Sequence, residues 1–203
     1  CLYCSFTSYS LAIWKKEVDN YIDALLKEME FVAQSMKGRR LDTIYFGGGT
    51  PTTLSAEQLD RVLTALEQNF DIADVFELTV EAGRPDSITE EKLQVLRNHG
   101  VGRISINPQT MNQETLDLIG RKHTVEQVVE AFELARRYGF DNINMDLILG
   151  LPGEDEEMVK NTLEQVSRLA PDSLTVHSLA IKRAAAINIW KEKYQDMKLI
   201  NND

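Results

Sequence analysis

The only two cysteines of the chain, Cys1 and Cys4, form a C-x-x-C pair, a spacing typical of metal-binding or redox sites. Three chemistries use such a pair: half of a zinc site, a thioredoxin-like redox pair, or part of an iron–sulfur site. Zinc takes four ligands, and the histidines of this chain are scattered. A redox pair usually starts a helix after a strand, and no strand precedes Cys1 here to test that context. The pair alone leaves all three chemistries open.

The three histidines add no further metal site to the sequence. His99 ends a predicted helix and His123 lies in a predicted loop, so we expect solvated roles for both. His177 lies near the end of the last predicted strand, where it either lines a pocket or is a hydrogen-bonded core histidine.

The run Gly47-Gly48-Gly49-Thr50-Pro51-Thr52 follows the first predicted strand. Three successive glycines remove every Cβ, so a ligand can touch the backbone there. A tight turn is the alternative, but a turn rarely needs three glycines followed by Thr-Pro. The run is not a phosphate-binding loop, because the Gly-Lys-Ser/Thr ending of that motif is missing. We therefore expect a ligand contact here.

Polar side chains also follow or interrupt the later predicted strands. Glu81 follows the second strand, Gln109 follows the third, and Arg121 follows a glycine that ends a helix. Asp146 lies inside an apolar strand, where a carboxylate is costly unless it is paired. Each has an ordinary structural explanation alone. Together, at successive strand ends, they predict a polar pocket for one zwitterionic or hydroxyl-rich ligand.

The elements that must position these residues alternate between strand and helix. Apolar periodicity predicts a long first helix at 14–36, and then five strands, each followed by helix. The predicted strands are 43–46, 76–80, 103–106, 142–149 and 173–179. The helices between and after them start near 55, 87–89, 112, 124, 155 and 183, the last running to about 197.

This alternation predicts an α/β fold with parallel strands, which is either a doubly wound sheet or most of a barrel. The first helix has no strand before it. We therefore expect one more strand, together with further sequence of the cysteine loop, before Cys1. We predict one domain over residues 1–203.

The bulk properties limit the possible partners. The formal net charge is -10, which argues against a nucleic-acid partner, and no apolar run has the length of a membrane span. Two cysteines three positions apart are a poor disulfide framework, so we expect a reducing, cytoplasmic setting.

With these residues assembled, the chain resembles the radical S-adenosylmethionine superfamily, and more closely the oxygen-independent coproporphyrinogen III oxidase (coproporphyrinogen dehydrogenase) family. The resemblance runs from Cys1 to about residue 198. Four stretches carry it in order: 45–52 (YFGGGTPT), 103–110 (RISINPQT), 120–123 (GRKH) and 144–153 (NMDLILGLPG).

The resemblance implies a 4Fe–4S cluster and S-adenosylmethionine as cofactors. Cys1 and Cys4 match the second and third cysteines of the family motif C-x-x-x-C-x-x-C, whose first cysteine would lie before Cys1. Tyr3 and, more weakly, Ala180 match positions near the adenine. The remaining matched cofactor positions are Gly48, Gly49 and Thr50 at the methionine end, Arg121 at its carboxylate, Asp146 or Gln109 at the ribose, and Glu81.

The resemblance also implies a partial (β/α)6 TIM-like barrel, here without its first strand and without the family's C-terminal domain. The implied reaction in porphyrin biosynthesis converts propionate side chains of a porphyrinogen to vinyl groups through a 5′-deoxyadenosyl radical. An electron donor such as flavodoxin or ferredoxin is implied, and we expect a monomer.

Two alternatives to the oxidase remain open at this point. One is a heme-trafficking relative without oxidase activity, and the other is a structural barrel fragment without cofactor. We expect this piece to be inactive and to retain neither the cluster nor S-adenosylmethionine, even if its parent is a radical enzyme. The family pattern differs at Asn107-Pro108 and at 176–183, which bears on the substrate more than on the cofactor.

Overall fold

A single parallel sheet runs through the chain in the computed structural model, which describes residues 1–6 and 11–189. Its five strands are β1 (Thr43–Phe46), β2 (Glu77–Glu81), β3 (Arg103–Gln109), β4 (Asn142–Leu149) and β5 (Ser173–Ser178). They pair in the order β1-β2-β3-β4-β5. Each crossover thus moves the chain one strand in the same direction, as in a (β/α) barrel, whereas a doubly wound sheet reverses. The partial-barrel prediction is confirmed for these strands, and the doubly wound alternative is wrong.

Helices lie before, between and after these strands. They are α1 (Leu11–Ser35), α2 (Ala56–Asn69), α3 (Glu90–Asn98), α4 (Gln113–Leu118), α5 (Val125–Arg137), α6 (Glu156–Leu169) and α7 (Ala186–Ile189). Two short 3-10 turns, Pro51–Thr53 and Pro85–Ser87, follow β1 and β2. Of the last predicted helix, 183–197, the part after residue 189 lies outside the described residues.

Side-chain caps explain where several helices begin. Ser55 accepts a hydrogen bond from the Gln58 amide while the Gln58 side chain accepts from the Ser55 amide, a reciprocal capping box. Thr124 and Gln127 form the same arrangement at α5, and Asp155 caps α6. These caps match the starts predicted near residues 55, 124 and 155.

The two faces of the sheet differ in polarity. Alternate residues of β3 and β4, such as Ile104, Ile106 and Met145, are fully buried in the apolar core with side chains from α2, α3 and α5. The intervening residues face the concave side, and there Asn144 bonds Ser105. This alternation with a period of two residues builds a polar inner face enclosed by an apolar outer layer.

The first helix lies against α2. Val18 and Ile22 are buried, and Arg61 of α2 donates to Asp23 of α1 at 2.7 Å. Within the described residues, no helix is both long enough and apolar enough to cross a membrane.

Candidate functional site at the carboxyl ends of the strands

The carboxyl ends of the parallel strands meet at one edge of the sheet, and the N-terminal residues of the chain lie against the same region. The Leu2 amide donates to the Ile119 carbonyl at 2.8 Å, and the Ile187 amide donates to the Leu2 carbonyl at 2.9 Å. These two backbone bonds fix the segment that carries both cysteines beside the loop after α4.

Arg121 joins the N-terminal segment to two strand-end loops. Its side chain is buried, and one terminal nitrogen donates to the carbonyls of Gly83 at 2.8 Å and Asn107 at 2.5 Å. The other terminal nitrogen lies 3.4 Å from Cys1 Sγ. Burial lowers the pKa of Arg121, but a guanidinium stays charged in a protein. A fixed cation therefore lies beside the cysteine sulfur, where it stabilises negative charge.

Tyr3 interacts with the guanidinium of Arg121 and, through charge, with the carboxylate of Asp146. Burial raises the pKa of the Tyr3 phenol, the hydrogen-bonded Arg121 opposes this, and Cys4 and Asp146 add to the rise. Asp146 in turn accepts a hydrogen bond from Asn144 Nδ2 at 2.7 Å. A cation, a phenol and a carboxylate are therefore close together at this edge.

Glu81 is oriented by Tyr45. The Tyr45 hydroxyl donates to Glu81 Oε1 at 2.5 Å, and burial, this bond and the charge of Glu81 raise the pKa of Tyr45. A Cβ on Gly47 would lie only 2.4 Å from the Tyr45 ring, so this position requires glycine. Gly47 thus serves the packing of Tyr45, one role that the triple glycine did not reveal.

The rest of the glycine loop is open. Gly48 has φ +105°, a conformation that favours glycine, and a Cβ on Gly48 or Gly49 would meet nothing within 4 Å. Thr50 then enters the first 3-10 turn, and its carbonyl accepts from the Thr53 amide at 2.9 Å. The backbone at Gly48 and Gly49 is therefore accessible, as the sequence predicts.

Gln109 ends β3 in an unusual conformation. Its φ is +71°, and the pairing with β4 shifts register between Ile106 and Gln109. The strand predicted to end at Ile106 therefore continues through a bulge to Gln109. Gln109 is buried and lines a small cleft with Thr110, Leu147 and Glu154.

The remaining predicted site residue, Ala180, is exposed just after β5, where the preceding Leu179 amide donates to the Leu149 carbonyl. His177 is exposed on β5, so its core alternative is wrong.

The predictions of solvated roles for His99 and His123 are also wrong. His99 lies between two carboxylates, Asp60 and Glu67, with a side chain that is 11% exposed. His123 is 1% exposed because the loop after α4 folds inward. Neither ring nitrogen of His123, nor Arg121 Nε, has a hydrogen-bond partner among the described residues.

Sequence reasoning missed Tyr45 and His123 as members of this region. Both lie inside the stretches that carried the resemblance: Tyr45 two residues before the first glycine, and His123 two residues after Arg121. Position inside those motifs was the available signal.

The comparisons with known proteins agree with this geometry. The profile of the Radical SAM superfamily matches residues 1–166. The chain belongs to the Radical SAM superfamily.

Individual relatives of this Radical SAM chain have heme-related names. It is 46% identical over 198 residues to the oxygen-independent coproporphyrinogen-III oxidase-like protein HemZ of Bacillus subtilis, covering 96% of this chain and 40% of that protein. It is 40% identical over 182 residues to the heme chaperone HemW of Lactococcus lactis, covering 90% of this chain and 46% of that protein.

A solved structure is also similar. The coproporphyrinogen III oxidase HemN of Escherichia coli, described as a Radical SAM enzyme, superposes with a TM-score of 0.81 at 31% identity. The match covers 96% of this chain and 48% of that one. The chain thus spans less than half the length of each of these relatives.

Membership in the superfamily implies a 4Fe–4S cluster and S-adenosylmethionine. Cys1 and Cys4 fit part of the cluster's ligand set, because both are free, exposed thiols and thiolates hold such clusters. The remaining cysteine of the motif would precede Cys1. Among the described residues, no group of three or more His, Cys, Asp or Glu side chains converges as a metal site. The two cysteines are therefore a partial ligand set.

A cavity separate from the Arg121 region lies elsewhere on this Radical SAM chain. Its volume is about 380 Å³, and its lining includes Phe76, Gly102 and Asn142, at or near the amino ends of strands. Sites of parallel βα units form at the carboxyl ends, so we assign function to the Arg121 region rather than to this cavity.

Proposed function

We propose that this chain is the S-adenosylmethionine-cleaving part of an enzyme that decarboxylates coproporphyrinogen III to protoporphyrinogen IX without oxygen, in heme biosynthesis. One observation carries the proposal: Arg121 is buried, fixed by two backbone carbonyls, and in contact with Cys1. The similarity to HemZ and HemN supports the choice of substrate. We expect a cytoplasmic monomer.

Arg121 is the residue that best fits the carboxylate of S-adenosylmethionine. Its Nε is buried and unpaired, and a guanidinium binds carboxylates through paired N–H groups. The partly buried surroundings strengthen such a bond relative to water. Cys1 and Cys4 would supply two cluster thiolates.

Other residues would hold the rest of the cofactor. Gly48, Gly49 and Thr50 offer accessible backbone for the methionine end, next to Glu81. Asp146 and Gln109 are the candidates for the ribose hydroxyls, and Tyr3 and Ala180 for the adenine.

When bound, and given one electron from a donor such as flavodoxin or ferredoxin, these cofactors supply a 5′-deoxyadenosyl radical that removes hydrogen from a substrate propionate. The substrate radical would then pass one electron to a one-electron acceptor and lose its carboxylate as carbon dioxide, which would leave a vinyl group. The protein residues orient the cofactor and exclude competing reactions.

The test uses the full-length protein, reconstituted with iron and sulfide under anaerobic conditions. Incubation with S-adenosylmethionine, a reductant and coproporphyrinogen III should give 5′-deoxyadenosine and vinyl products, measured by liquid chromatography and mass spectrometry. Arg121→Met should abolish both products, whereas the matched change at an exposed arginine, Arg168→Met, should abolish neither. Cofactor cleavage without vinyl product would reject the substrate, and a protein that binds no cluster would reject the radical chemistry.

A heme-trafficking protein is the second candidate, favoured by the 40% identity to the heme chaperone HemW. Titration of the full-length protein with hemin, followed by its Soret absorbance, tests this candidate. Stoichiometric heme binding together with no vinyl product would favour trafficking over oxidation.

We also propose that this 203-residue piece alone retains little cluster and is inactive, because it supplies two thiolates. Iron and sulfide analysis of the isolated piece, beside the full-length protein, tests this point. A full complement of iron in the piece would overturn it.

A further inference from the structure

Two turns beside the candidate site have the same construction. Residues 49–54 and 83–88 share the pattern Gly-x-Pro-x-Ser/Thr-Leu/Ile, and each contains a 3-10 turn with proline at its first position. The Leu54 amide closes the first turn onto the Pro51 carbonyl at 3.1 Å. The Ile88 amide closes the second onto the Pro85 carbonyl at 3.2 Å. The loops after β1 and β2 therefore present two equivalent units side by side.

Lys92 of α3 connects the two turns. Its ammonium group donates to the Thr52 carbonyl at 2.6 Å and to the Ser87 carbonyl at 2.9 Å. The Thr52 and Ser87 hydroxyls lie 2.6 Å apart, and the Ser87 hydroxyl also donates to the Arg84 carbonyl. One cation and one pair of hydroxyls thus join the two units, at Thr52 in the first and at Ser87 in the second.

The ammonium group of Lys92 is partly buried, and its hydrogen bonds are made to protein carbonyls. Burial lowers the pKa of Lys92, and no carboxylate among the described residues lies within ion-pair distance of it. The two backbone carbonyls compensate the loss of hydration of the ammonium group, through charge-assisted hydrogen bonds that are stronger than neutral ones.

Both turns directly adjoin residues of the candidate site. The first turn follows Gly48, Gly49 and Thr50 without a break, so its position fixes the accessible glycine backbone. The second turn follows Gly83, whose carbonyl accepts a hydrogen bond from Arg121 at 2.8 Å. A displacement of either turn would change the spacing between the glycine loop and the Arg121 guanidinium.

We propose that Lys92 is a positioning residue that holds the two turns together and so sets this spacing for a zwitterionic ligand. The ligand part of this inference rests on the proposed function. It does not require Lys92 to touch the ligand, since the ammonium acts through the backbone of both loops.

The first experiment needs no cofactor. In full-length protein, Lys92→Met should speed amide hydrogen exchange of Thr53, Leu54, Ser87 and Ile88 about tenfold, since both turns lose a charge-assisted bond. Lys160→Met is the matched control, because Lys160 is exposed on α6 and pairs only with Glu156. Lys92→Arg, which keeps a cation, should recover most of the protection. Unchanged exchange in Lys92→Met, or loosening of one turn alone, would overturn the link.

The second experiment measures affinity for S-adenosylmethionine by equilibrium dialysis of the reconstituted full-length protein. Lys92→Met should raise Kd about tenfold with unchanged iron content, and Lys160→Met should leave both unchanged. If the turns loosen but Kd stays the same, Lys92 does not position the ligand. If the wild-type protein binds no S-adenosylmethionine, the proposed function fails and the ligand part fails with it. The exchange experiment still decides the link between the turns.

Discussion

Among the residues that the structure describes, the buried side-chain nitrogens without hydrogen-bond partners belong to two residues of one loop, Arg121 and His123. An unpaired buried polar group lowers stability unless something compensates it. Arg121 has carbonyl partners for its terminal nitrogen but none for Nε, and His123 has none for either ring nitrogen. At the scale of single residues, this loop therefore lowers the stability of the fold, as functional loops often do.

His123 should be neutral in the folded protein. Burial lowers its pKa to about 4, and the cations of Arg121 and Arg84 contribute, while the charge of Asp86 partly opposes them. Unfolded histidine titrates near 6.5, so the unfolded state binds a proton first as the pH falls. The free energy of unfolding therefore decreases as the pH falls from 6.5 to about 4, by at most about 3 kcal/mol.

We predict that His123→Leu removes this acid sensitivity. The free energy of unfolding at pH 7 should stay the same or rise slightly, because two unpaired polar atoms disappear from a buried position. Urea unfolding from pH 7 to pH 4 checks both parts. His177→Leu, at an exposed position, should keep the wild-type pH dependence. A loss of more than about 2 kcal/mol at pH 7 would mean that the imidazole makes a stabilising bond after all.

The sequence was informative about residues whose type is required by the local backbone conformation. The triple glycine predicted an accessible loop, and Gly48 does adopt a conformation that favours glycine. It was uninformative about His123 and Lys92, because burial depends on how a loop folds and on which helix lies opposite. A lysine on a short amphipathic helix gives no sign that it will point at two carbonyls.

At the scale of elements, His99 links two neighbouring helices. It lies at the end of α3, and its two ring nitrogens lie 2.9 Å from Asp60 Oδ1 and 2.7 Å from Glu67 Oε1 on α2. Burial disfavours the charged ring, but the hydrogen bonds to Asp60 and Glu67 outweigh it, so the pKa of His99 is raised. A raised pKa means that the charged form stabilises the folded state.

We predict that this contribution is complete below pH 6.5 and is lost as the pH rises through the higher folded-state pKa. His99→Gln should therefore lower the free energy of unfolding by about 1 kcal/mol at pH 5.5, a modest amount because water screens the half-exposed partners. The difference from wild type should shrink towards alkaline pH. A difference that grows with pH would show that the ring is neutral in the folded protein.

The end of β3 is held by a second contact between elements. Glu154, at the start of α6, is buried and accepts from Thr110 Oγ1 at 2.5 Å and from Asn112 Nδ2 at 3.0 Å. These bonds fix the residues directly after Gln109, whose positive φ costs about 1–3 kcal/mol unless its surroundings support it.

We predict that Thr110→Val destabilises the fold by about 2 kcal/mol, because the buried carboxylate loses a donor while the side-chain shape is kept. Thr110→Ser keeps the hydroxyl and should cost clearly less. Thermal unfolding of both variants measures the difference. A larger loss for serine than for valine would mean that packing of the methyl group, rather than the hydroxyl, holds the strand end.

Most elements could be predicted from sequence, because their signals are local. Ser55 marked the start of α2 as its capping residue, Gly139 marked the end of α5, and a β-branched and aromatic run marked β1. The bulge that extends β3 to Gln109 could not be predicted from the sequence, because Asn107-Pro108 is a pattern that usually ends a strand. Only pairing with β4 keeps that segment in the sheet, and pairing is a tertiary property.

At the scale of the whole molecule, the polar inner face is the feature that sets this sheet apart from a filled barrel. Closed barrels pack branched apolar side chains inside, whereas this sheet turns Thr79, Ser105, Asn144 and Thr175 inward. The helices cover only its apolar outer face. A polar surface next to the strand ends offers hydrogen-bonding groups to a hydrophilic ligand.

Asn144 is the centre of this inner face. Its amide nitrogen donates to Ser105 at 2.9 Å and to Asp146 at 2.7 Å, and its oxygen accepts from Ser173 at 2.9 Å and Thr175 at 3.0 Å. One side chain therefore ties β3, β4 and β5 together and orients the carboxylate of the candidate site.

We predict that Asn144→Leu, which is similar in size, destabilises the protein by about 3 kcal/mol, since it leaves several inward polar groups without partners. Ile143→Val on the apolar face of the same strand is the control, and it should cost about 1 kcal/mol. Urea unfolding followed by circular dichroism measures both. If Asn144→Leu costs no more than the control, water replaces the lost bonds, and the inner face is held together by the backbone ladder alone. A large loss would instead show that the polar interior is part of what stabilises the barrel, so that Asp146 is positioned by the same network that holds the strands together.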